Sequence, residues 1–188
     1  MSTEPSSRIP TDPDFRYSWY ARLFFANQRR RYGKELEPAR LWARTPKVFA
    51  ALSLLYGALD RRRSPIEPAL RSLITVRVSQ INWCAFCVDI NSATGLKRGI
   101  SDAQLAALPE FATSPLFDER QKAALAYAEA ITRTDVGVDD ALMARVKACF
   151  DDNAVIELTA LIAFQNMSSK FNAALDVAPQ GFCRLPQK

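Results

Sequence analysis

The chain has 188 residues, a formal net charge of +5 and no histidine, and 48% of its residues are apolar. This length fits one domain with a sizeable core, and the apolar content argues against extensive disorder. No apolar run approaches the ~20 residues that a membrane span needs. The polar stretch 1–14 does not resemble a signal peptide. We therefore expect a cytoplasmic protein with no membrane partner.

The positive charge is concentrated near the N-terminus. Residues 1–63 hold 13 Lys and Arg against 6 Asp and Glu, whereas residues 64–188 hold 12 against 14. Most of this asymmetry comes from two arginine triplets, at 29–31 and 61–63. Each triplet lies where a helix is predicted to end, and cations there complement the helix dipole. We therefore favour a structural role for them and expect no nucleic-acid partner.

Apolar residues recur at helical spacing along most of the chain. The predicted helices, in chain order, cover 14–32, 46–59, a segment from about 70 to 80, 84–97, a short stretch from 101, 118–132, 138–150 and 153–175. Gly33 and Gly99 end two of them, while Ser64-Pro65 with Glu67 indicates a helix start. The β-branched run from Leu73 to Val78 also fits a strand, but no partner strand follows, so we prefer helix.

These elements predict an all-α fold in one helical bundle domain. We expect residues 1–45 to form an N-terminal arm with one helix that contacts a neighbouring subunit. Residues 46–180 would form the helical domain, and residues 181–188 a tail.

Cys84 and Cys87 form a C-x-x-C pair, which is typical either of a redox couple or of half a zinc site. A zinc site needs a second pair of ligands, but the other cysteines, Cys149 and Cys183, are isolated and the chain has no histidine. Redox chemistry is therefore the favoured interpretation, with no metal and no bound cofactor. The alternative is two buried cysteines that act as small hydrophobic side chains.

The pair lies at the predicted start of a helix, where backbone N–H groups stabilise a thiolate. One turn separates the two residues, so one sulfur can attack a substrate and the other can resolve the product. Its position favours Cys84 as the more exposed, attacking thiol. Four polar residues are candidates for tuning the pair, each with a structural role as the alternative: Ser72, Ser79, Asp89 and Asn91.

Three segments, 70–94, 117–132 and 152–167, closely resemble the carboxymuconolactone decarboxylase superfamily in its alkylhydroperoxidase-D-like, peroxidase-related branch. The likeness extends over roughly residues 46–180. It implies an all-helical fold, homo-oligomers that are commonly trimers or hexamers, and a disulfide-forming cysteine pair that reduces hydroperoxides. An external thiol or dithiol must then re-reduce the pair.

The resemblance is incomplete at two positions. The family's peroxidase motif has Glu twelve residues before the first cysteine and His four residues after the second, where this chain has Ser72 and Asn91. A carboxylate–imidazole proton relay is therefore absent as written. Either another group activates the thiol or peroxidase activity is weak or lost.

Three functions follow, in order of preference. The first is a thiol–disulfide oxidoreductase, an antioxidant peroxidase acting through Cys84 and Cys87 on a hydroperoxide or a small disulfide. The second is a redox-sensing or scaffolding oligomer without catalytic activity, which the two replaced positions favour and the retained cysteines oppose. The third, less favoured, is a lactone enzyme of the decarboxylase type.

Overall fold

The computed structural model describes residues 7–10, 12 and 14–183. These fold into nine α-helices and one 3-10 turn, and the described part of the chain contains no strand. The helices are α1 (Trp19–Tyr32), α2 (Glu37–Trp42), α3 (Pro46–Leu59), α4 (Pro68–Ile81), α5 (Ala85–Lys97), α6 (Asp102–Ala107), α7 (Glu119–Thr132), α8 (Asp140–Cys149) and α9 (Asp152–Ala174), with the 3-10 turn at Leu108–Glu110. The predicted all-α fold is confirmed, and none of these helices is long and apolar enough to cross a membrane.

Helix α4 is the centre of the bundle, and it packs against α5, α7 and α9. Nine of its fourteen residues are buried, including all of the apolar positions from Leu73 to Val78. One side of α4 packs with α7, α8 and α9, and the other with α6, α7 and the 3-10 turn. A helix that is covered on both sides needs apolar residues nearly all round, which explains the β-branched run without a strand.

Two charged residues of α4 are buried and paired. Arg77 donates to the carboxylate of Glu129 on α7, and Arg71 lies 3.5 Å from Asp60 just after α3. Gly95 of α5 packs on α4 and on the residues after α5, because a Cβ there would lie 2.9 Å from the Ile100 Cδ1 and 3.5 Å from the Ser72 Cβ. Helix α5, which begins at the cysteine pair, is thus packed against the central helix.

The N-terminal arm differs from the prediction, because it holds two helices, α1 and α2, and α1 begins at Trp19 rather than at 14. Aromatic side chains join the arm to α3. The Trp42 ring stacks on Phe171 of α9 at 3.7 Å between centroids. The arm therefore packs on its own chain. The polar stretch 1–14 and the tail 181–188 lie partly outside the described residues.

Helix ends explain most of the remaining boundaries. Gly33 ends α1 in the left-handed conformation, with φ 76°. Capping boxes begin α6 at Ser101 and α7 at Asp118. The predicted cap at Ser64-Pro65 is wrong, since α4 begins at Pro68 and Ser64 instead donates to Glu157 of α9. Ser64 therefore connects the loop before α4 to α9.

Candidate active site

The cysteine pair lies at the junction of α4 and α5. Trp83 adopts a left-handed conformation, φ 56°, which turns the chain sharply into the next helix. Cys84 is the N-cap of α5, and its Sγ accepts a hydrogen bond from the Cys87 backbone N–H at 3.2 Å. The two cysteines form a disulfide with their Cα atoms 5.2 Å apart. The helix-start position predicted for Cys84 is thus confirmed, whereas Cys149 and Cys183 are free thiols.

Both sulfur-bearing residues are buried, Cys84 with 1% and Cys87 with 3% of its surface exposed. The cluster around them includes Leu41 of α2 and Val177 of the segment after α9. Cys87 lines a cavity beside the pair, and Cys84 does not. The expectation that Cys84 is the more exposed thiol is therefore wrong, because the arm and the segment after α9 cover it.

Asn172 is a neighbour of the disulfide that the sequence did not reveal. Its Nδ2 donates to the Cys87 Sγ at 3.2 Å, and only 2% of the residue is exposed. Its Oδ1 has no hydrogen-bond partner, which is uncommon for a buried amide oxygen. Asn172 follows Gln165 and Ser169 at helical spacing, and all three are buried, so the available signal in the sequence was a polar stripe along the end of α9.

The side chains of Ser79 and Asn91, two of the predicted tuning residues, hydrogen-bond to each other rather than to the cysteine sulfurs. Asn91 Nδ2 lies 3.4 Å from Ser79 Oγ, and Gln165 Nε2 donates to the same oxygen at 3.0 Å. The Ser79 carbonyl accepts the Cys84 backbone N–H at 3.0 Å. These hydrogen bonds hold the end of α4 and the residues that lead to Cys84. The Asn91 side chain also lines the cavity beside Cys87.

Ser72 and Asp89 are engaged elsewhere. Ser72 Oγ accepts from Arg98 Nη1 at 3.3 Å, and Ser72 lines the cavity. The Asp89 carboxylate accepts the backbone N–H groups of Gln180 at 2.9 Å and of Cys183 at 2.6 Å. Asp89 therefore holds the segment after α9 over the cysteine pair and does not face the cavity.

The cavity has a volume of about 320 Å³, at the lower end of the range for small-molecule sites. It lies between the helices of the arm, α3 and the bundle. Apolar side chains form much of its wall: Phe24, Trp42, Phe49, Leu52, Phe86, Ile90, Leu161 and Phe164. Cys87, Asn91, Gln165 and Asn172 provide a polar region in this wall. The site can therefore place an organic molecule in contact with the Cys87 sulfur.

A charged cluster occupies another part of the cavity. Arg98 Nη2 contacts both carboxylate oxygens of Asp60 at 2.8 Å, and Arg71 approaches the same carboxylate. Burial lowers the pKa of Arg71, and the charge of Arg98 acts in the same direction. Partial burial of the phenol and the charge of Asp60 raise the pKa of Tyr56 to about 12, so its hydroxyl remains a hydrogen-bond donor at neutral pH.

Fold and site together define an all-helical protein with a cysteine pair beside a cavity for an organic molecule. The profile of the Carboxymuconolactone decarboxylase family matches residues 46–130. YnjA of Escherichia coli (strain K12), itself uncharacterized, is 47% identical over 160 residues, which cover 85% of this chain and 88% of YnjA. The chain belongs to the carboxymuconolactone decarboxylase superfamily, in its alkylhydroperoxidase-D-like branch, and the sequence-based assignment is confirmed.

Solved structures share the fold. The alkylhydroperoxidase AhpD core of a peroxidase-related protein from Ralstonia eutropha JMP134 matches with a TM-score of 0.85 and 20% identity, over 98% of this chain and 100% of that one. The debrominase Bmp8 matches with a TM-score of 0.77 and 22% identity, over 87% of this chain and 88% of Bmp8. At these identities the likeness concerns the fold alone.

Proposed function

We propose that this protein is a thiol–disulfide oxidoreductase that reduces an organic hydroperoxide or a small disulfide. The observation that carries the proposal is the Cys84–Cys87 disulfide at the start of α5, with Cys87 lining a cavity of small-molecule size. The arrangement supports Cys87 as the attacking thiol and Cys84 as its partner, the reverse of the order that the sequence favoured.

The reaction with a hydroperoxide balances with the two thiols alone. The Cys87 thiolate attacks the distal oxygen, the O–O bond breaks, and the alkoxide leaves as an alcohol after taking up a proton. The Cys84 thiolate then displaces water from the Cys87 sulfenic acid, which forms the disulfide. An external thiol or dithiol restores both thiols by exchange. Each turnover thus converts ROOH and two thiols to ROH, water and a disulfide.

The groups near the pair favour a slow peroxidase. Asn172 can donate a hydrogen bond to a Cys87 thiolate, and the Cys87 N–H can do so to Cys84, so both thiolates have a stabilising donor. No histidine is available to accept the proton, and Asn91 cannot carry one at neutral pH. The absence of a positioned general base typically costs ~10²–10⁴-fold in rate.

A second substrate class is a halogenated aromatic compound. A cysteine-to-alanine variant of Bmp8, the debrominase of the same fold, forms a complex with 2,3,4-tribromopyrrole. The aromatic side chains of the cavity suit a flat ring of that kind. In the balanced reaction two thiols become a disulfide while the aryl bromide becomes the arene and HBr.

A reducing cytoplasm, which we propose as the compartment, suits either reaction.

The test is stopped-flow oxidation of the fully reduced protein by cumene hydroperoxide, with disulfide formation as the readout. We expect oxidation well above the rate of free cysteine. Cys87→Ser should abolish it, Cys84→Ser should stop at a sulfenic acid that a dimedone-type reagent traps, and Cys149→Ser should leave it unchanged. A rate no faster than free cysteine would reject the peroxidase and leave the small disulfide, the halide substrate or the redox-sensing scaffold to be tested next.

A further inference from the structure

The charged residues that line the cavity are unbalanced. They are three arginines, Arg31, Arg71 and Arg98, and one carboxylate, Asp60. Asp60 pairs with both Arg98 and Arg71, and the charges of Glu157 and Arg61, which do not line the cavity, act on Arg71 in opposite directions. The remaining contacts of Arg98 Nη1 are long and go to neutral oxygens, Ser72 Oγ at 3.3 Å and the Pro68 carbonyl at 3.4 Å. The cavity therefore carries an excess of positive charge.

The excess charge is costly where water is scarce. Only 4% of Arg71 is exposed, and its Nε has no hydrogen-bond partner. Interactions between charges strengthen in a medium of low dielectric constant, and an uncompensated buried charge is unfavourable. An anion bound beside Arg98 would offset this repulsion. Of the two arginines paired with Asp60, Arg98 is the more accessible, with 20% of its side chain exposed against 5% for Arg71.

Helix α5 sets the distance between this charge and the reactive sulfur. Cys87, Asn91 and Thr94 line the cavity from one side of the helix, and Arg98, the residue that caps its C-terminus, lines it as well. At 1.5 Å per residue, the eleven-residue separation puts the Cα atoms of Cys87 and Arg98 about 16 Å apart. Side chains on a helix lean toward its N-terminus, which brings the guanidinium nearer to the sulfur. A molecule with one ring, or a chain of similar length, fits between them.

We propose that the cavity binds an organic monoanion, with its carboxylate on Arg98, its apolar body against the aromatic wall and its reducible bond at Cys87. The role of Cys87 in this proposal rests on the function proposed above. The role of Arg98 rests only on the cavity and its charges. The two parts can therefore be tested separately.

The first test measures binding to the oxidised protein and needs no turnover. 4-Isopropylbenzoate and the neutral 4-isopropylbenzamide have nearly the same shape, and calorimetry gives the affinity of each. We expect the benzoate to bind at least tenfold more tightly, and to lose that advantage in Arg98→Gln while the amide is unaffected. Arg133→Gln, at an exposed arginine that does not line the cavity, should keep the advantage.

Equal affinity for the two compounds, or no binding of either, would overturn the proposal. An advantage that persists in a folded Arg98→Gln would overturn the assignment to Arg98. The affinities of the unaltered protein for the benzoate and the benzamide decide whether the cavity prefers an anion, even if Arg98→Gln does not fold.

The second test measures oxidation of the reduced protein by cumene hydroperoxide and by its para-carboxylate. We expect the carboxylate to react at least tenfold faster at low concentration, with the difference falling as salt screens the charges. Equal rates for both would keep the proposed peroxidase and reject the anion site. Tight benzoate binding without oxidation by either compound would keep the anion site and reject the peroxidase.

Discussion

The Asn172 side chain is placed to affect the reactivity of Cys87. Its Nδ2 is placed to donate to the Cys87 Sγ, whereas its Oδ1 has no hydrogen-bond partner. A hydrogen bond to the charged form of a group favours that form. The amide N–H can thus serve both the disulfide and the thiolate. We regard it as a positioning residue for Cys87.

We predict that Asn172→Leu slows oxidation of the reduced protein by a hydroperoxide about tenfold. The thiolate loses its donor, so the midpoint of the rate in a pH profile should move to higher pH. Stability should change little, because leucine has a similar volume and the orphaned amide oxygen is also removed. Asn153→Leu, at an exposed position in the first turn of the same helix, is the matched control. An unchanged pH profile would mean that Asn172 does not act on Cys87.

Trp83 combines a strained backbone with an exposed side chain. Its φ is 56°, and 89% of its surface is accessible. The left-handed conformation costs a residue with a side chain roughly 1–2 kcal/mol, whereas glycine adopts it freely. Replacing Trp83 with glycine would therefore relieve this strain, although part of the gain in stability is lost because glycine is more flexible in the unfolded chain.

Trp83→Gly should therefore raise the free energy of unfolding by about 0.5–1 kcal/mol, measured by urea denaturation. Ile156→Gly also removes an exposed apolar side chain, but from the right-handed backbone of α9, and should lower it by about 1 kcal/mol. Destabilisation by both substitutions would show that the Trp83 side chain contributes contacts that outweigh the strain.

Whether the contacts of a site residue could be predicted from the sequence depended on how far along the chain its partner lies. Cys84 and Cys87 were identifiable because their spacing and the lack of histidine excluded other chemistry. Asn172 was not, since 85 residues separate it from Cys87 and only the packing of α9 brings it there. Asp89 was wrongly expected to act on the pair because it is only two residues from Cys87. Both oxygens of its carboxylate instead accept hydrogen bonds from a segment 91 and 94 residues away along the chain.

At the scale of elements, helix periodicity was sufficient where a helix was long and capped. Helices α3, α5 and α7 begin and end within a residue of the predicted limits. Helix α2 escaped prediction because its six residues offer too little pattern, and much of its order comes from packing. Only the cap of α4 was misplaced, because Ser64 binds a side chain of α9, a contact that local sequence does not encode.

That contact makes Glu157 a connection between α9 and the loop that precedes α4. Burial alone would raise the pKa of Glu157, but hydrogen bonds from Ser64 and Arg61 prevail and lower it below its ordinary value of 4.5. A carboxyl group whose pKa is depressed by folding stabilises the fold above its unfolded pKa. The contribution is lost as the pH falls through the folded value.

We therefore expect Glu157→Gln to destabilise the protein at pH 7 by about 1 kcal/mol, because the charge-assisted bonds are weakened. The difference from the unaltered protein should shrink below pH 4.5 as Glu157 itself becomes protonated. Denaturation with urea at several pH values measures this. Glu119→Gln, at a side chain that is 76% exposed, should show a much smaller difference. A constant difference across the pH range would contradict the ionic origin.

At the scale of the whole molecule, the packing of a single chain does not explain why so much of the apolar surface of α3 is exposed. Only Phe49 and Leu59 of its fourteen residues are buried, although most of the helix is apolar. Val48, Leu54 and Leu55 are 46%, 77% and 43% exposed. Since α3 also supplies Phe49, Leu52 and Tyr56 to the cavity, a partner on its other face would rigidify the cavity wall.

This apolar face leads us to place the expected homo-oligomer contact on α3. Removal of residues 1–45 would test this poorly, because the arm also packs on α9 and lines the cavity of its own chain. Leu54→Glu is sharper, since it introduces a charge at the most exposed apolar position of α3 and leaves the core unchanged. We expect its sedimentation velocity to show a smaller species than that of the unaltered protein. Ala103→Glu, on the exposed side of α6, should sediment unchanged. Identical sedimentation of the unaltered protein and Leu54→Glu would move the contact away from α3, because a buried glutamate without a partner is too costly for an interface to retain.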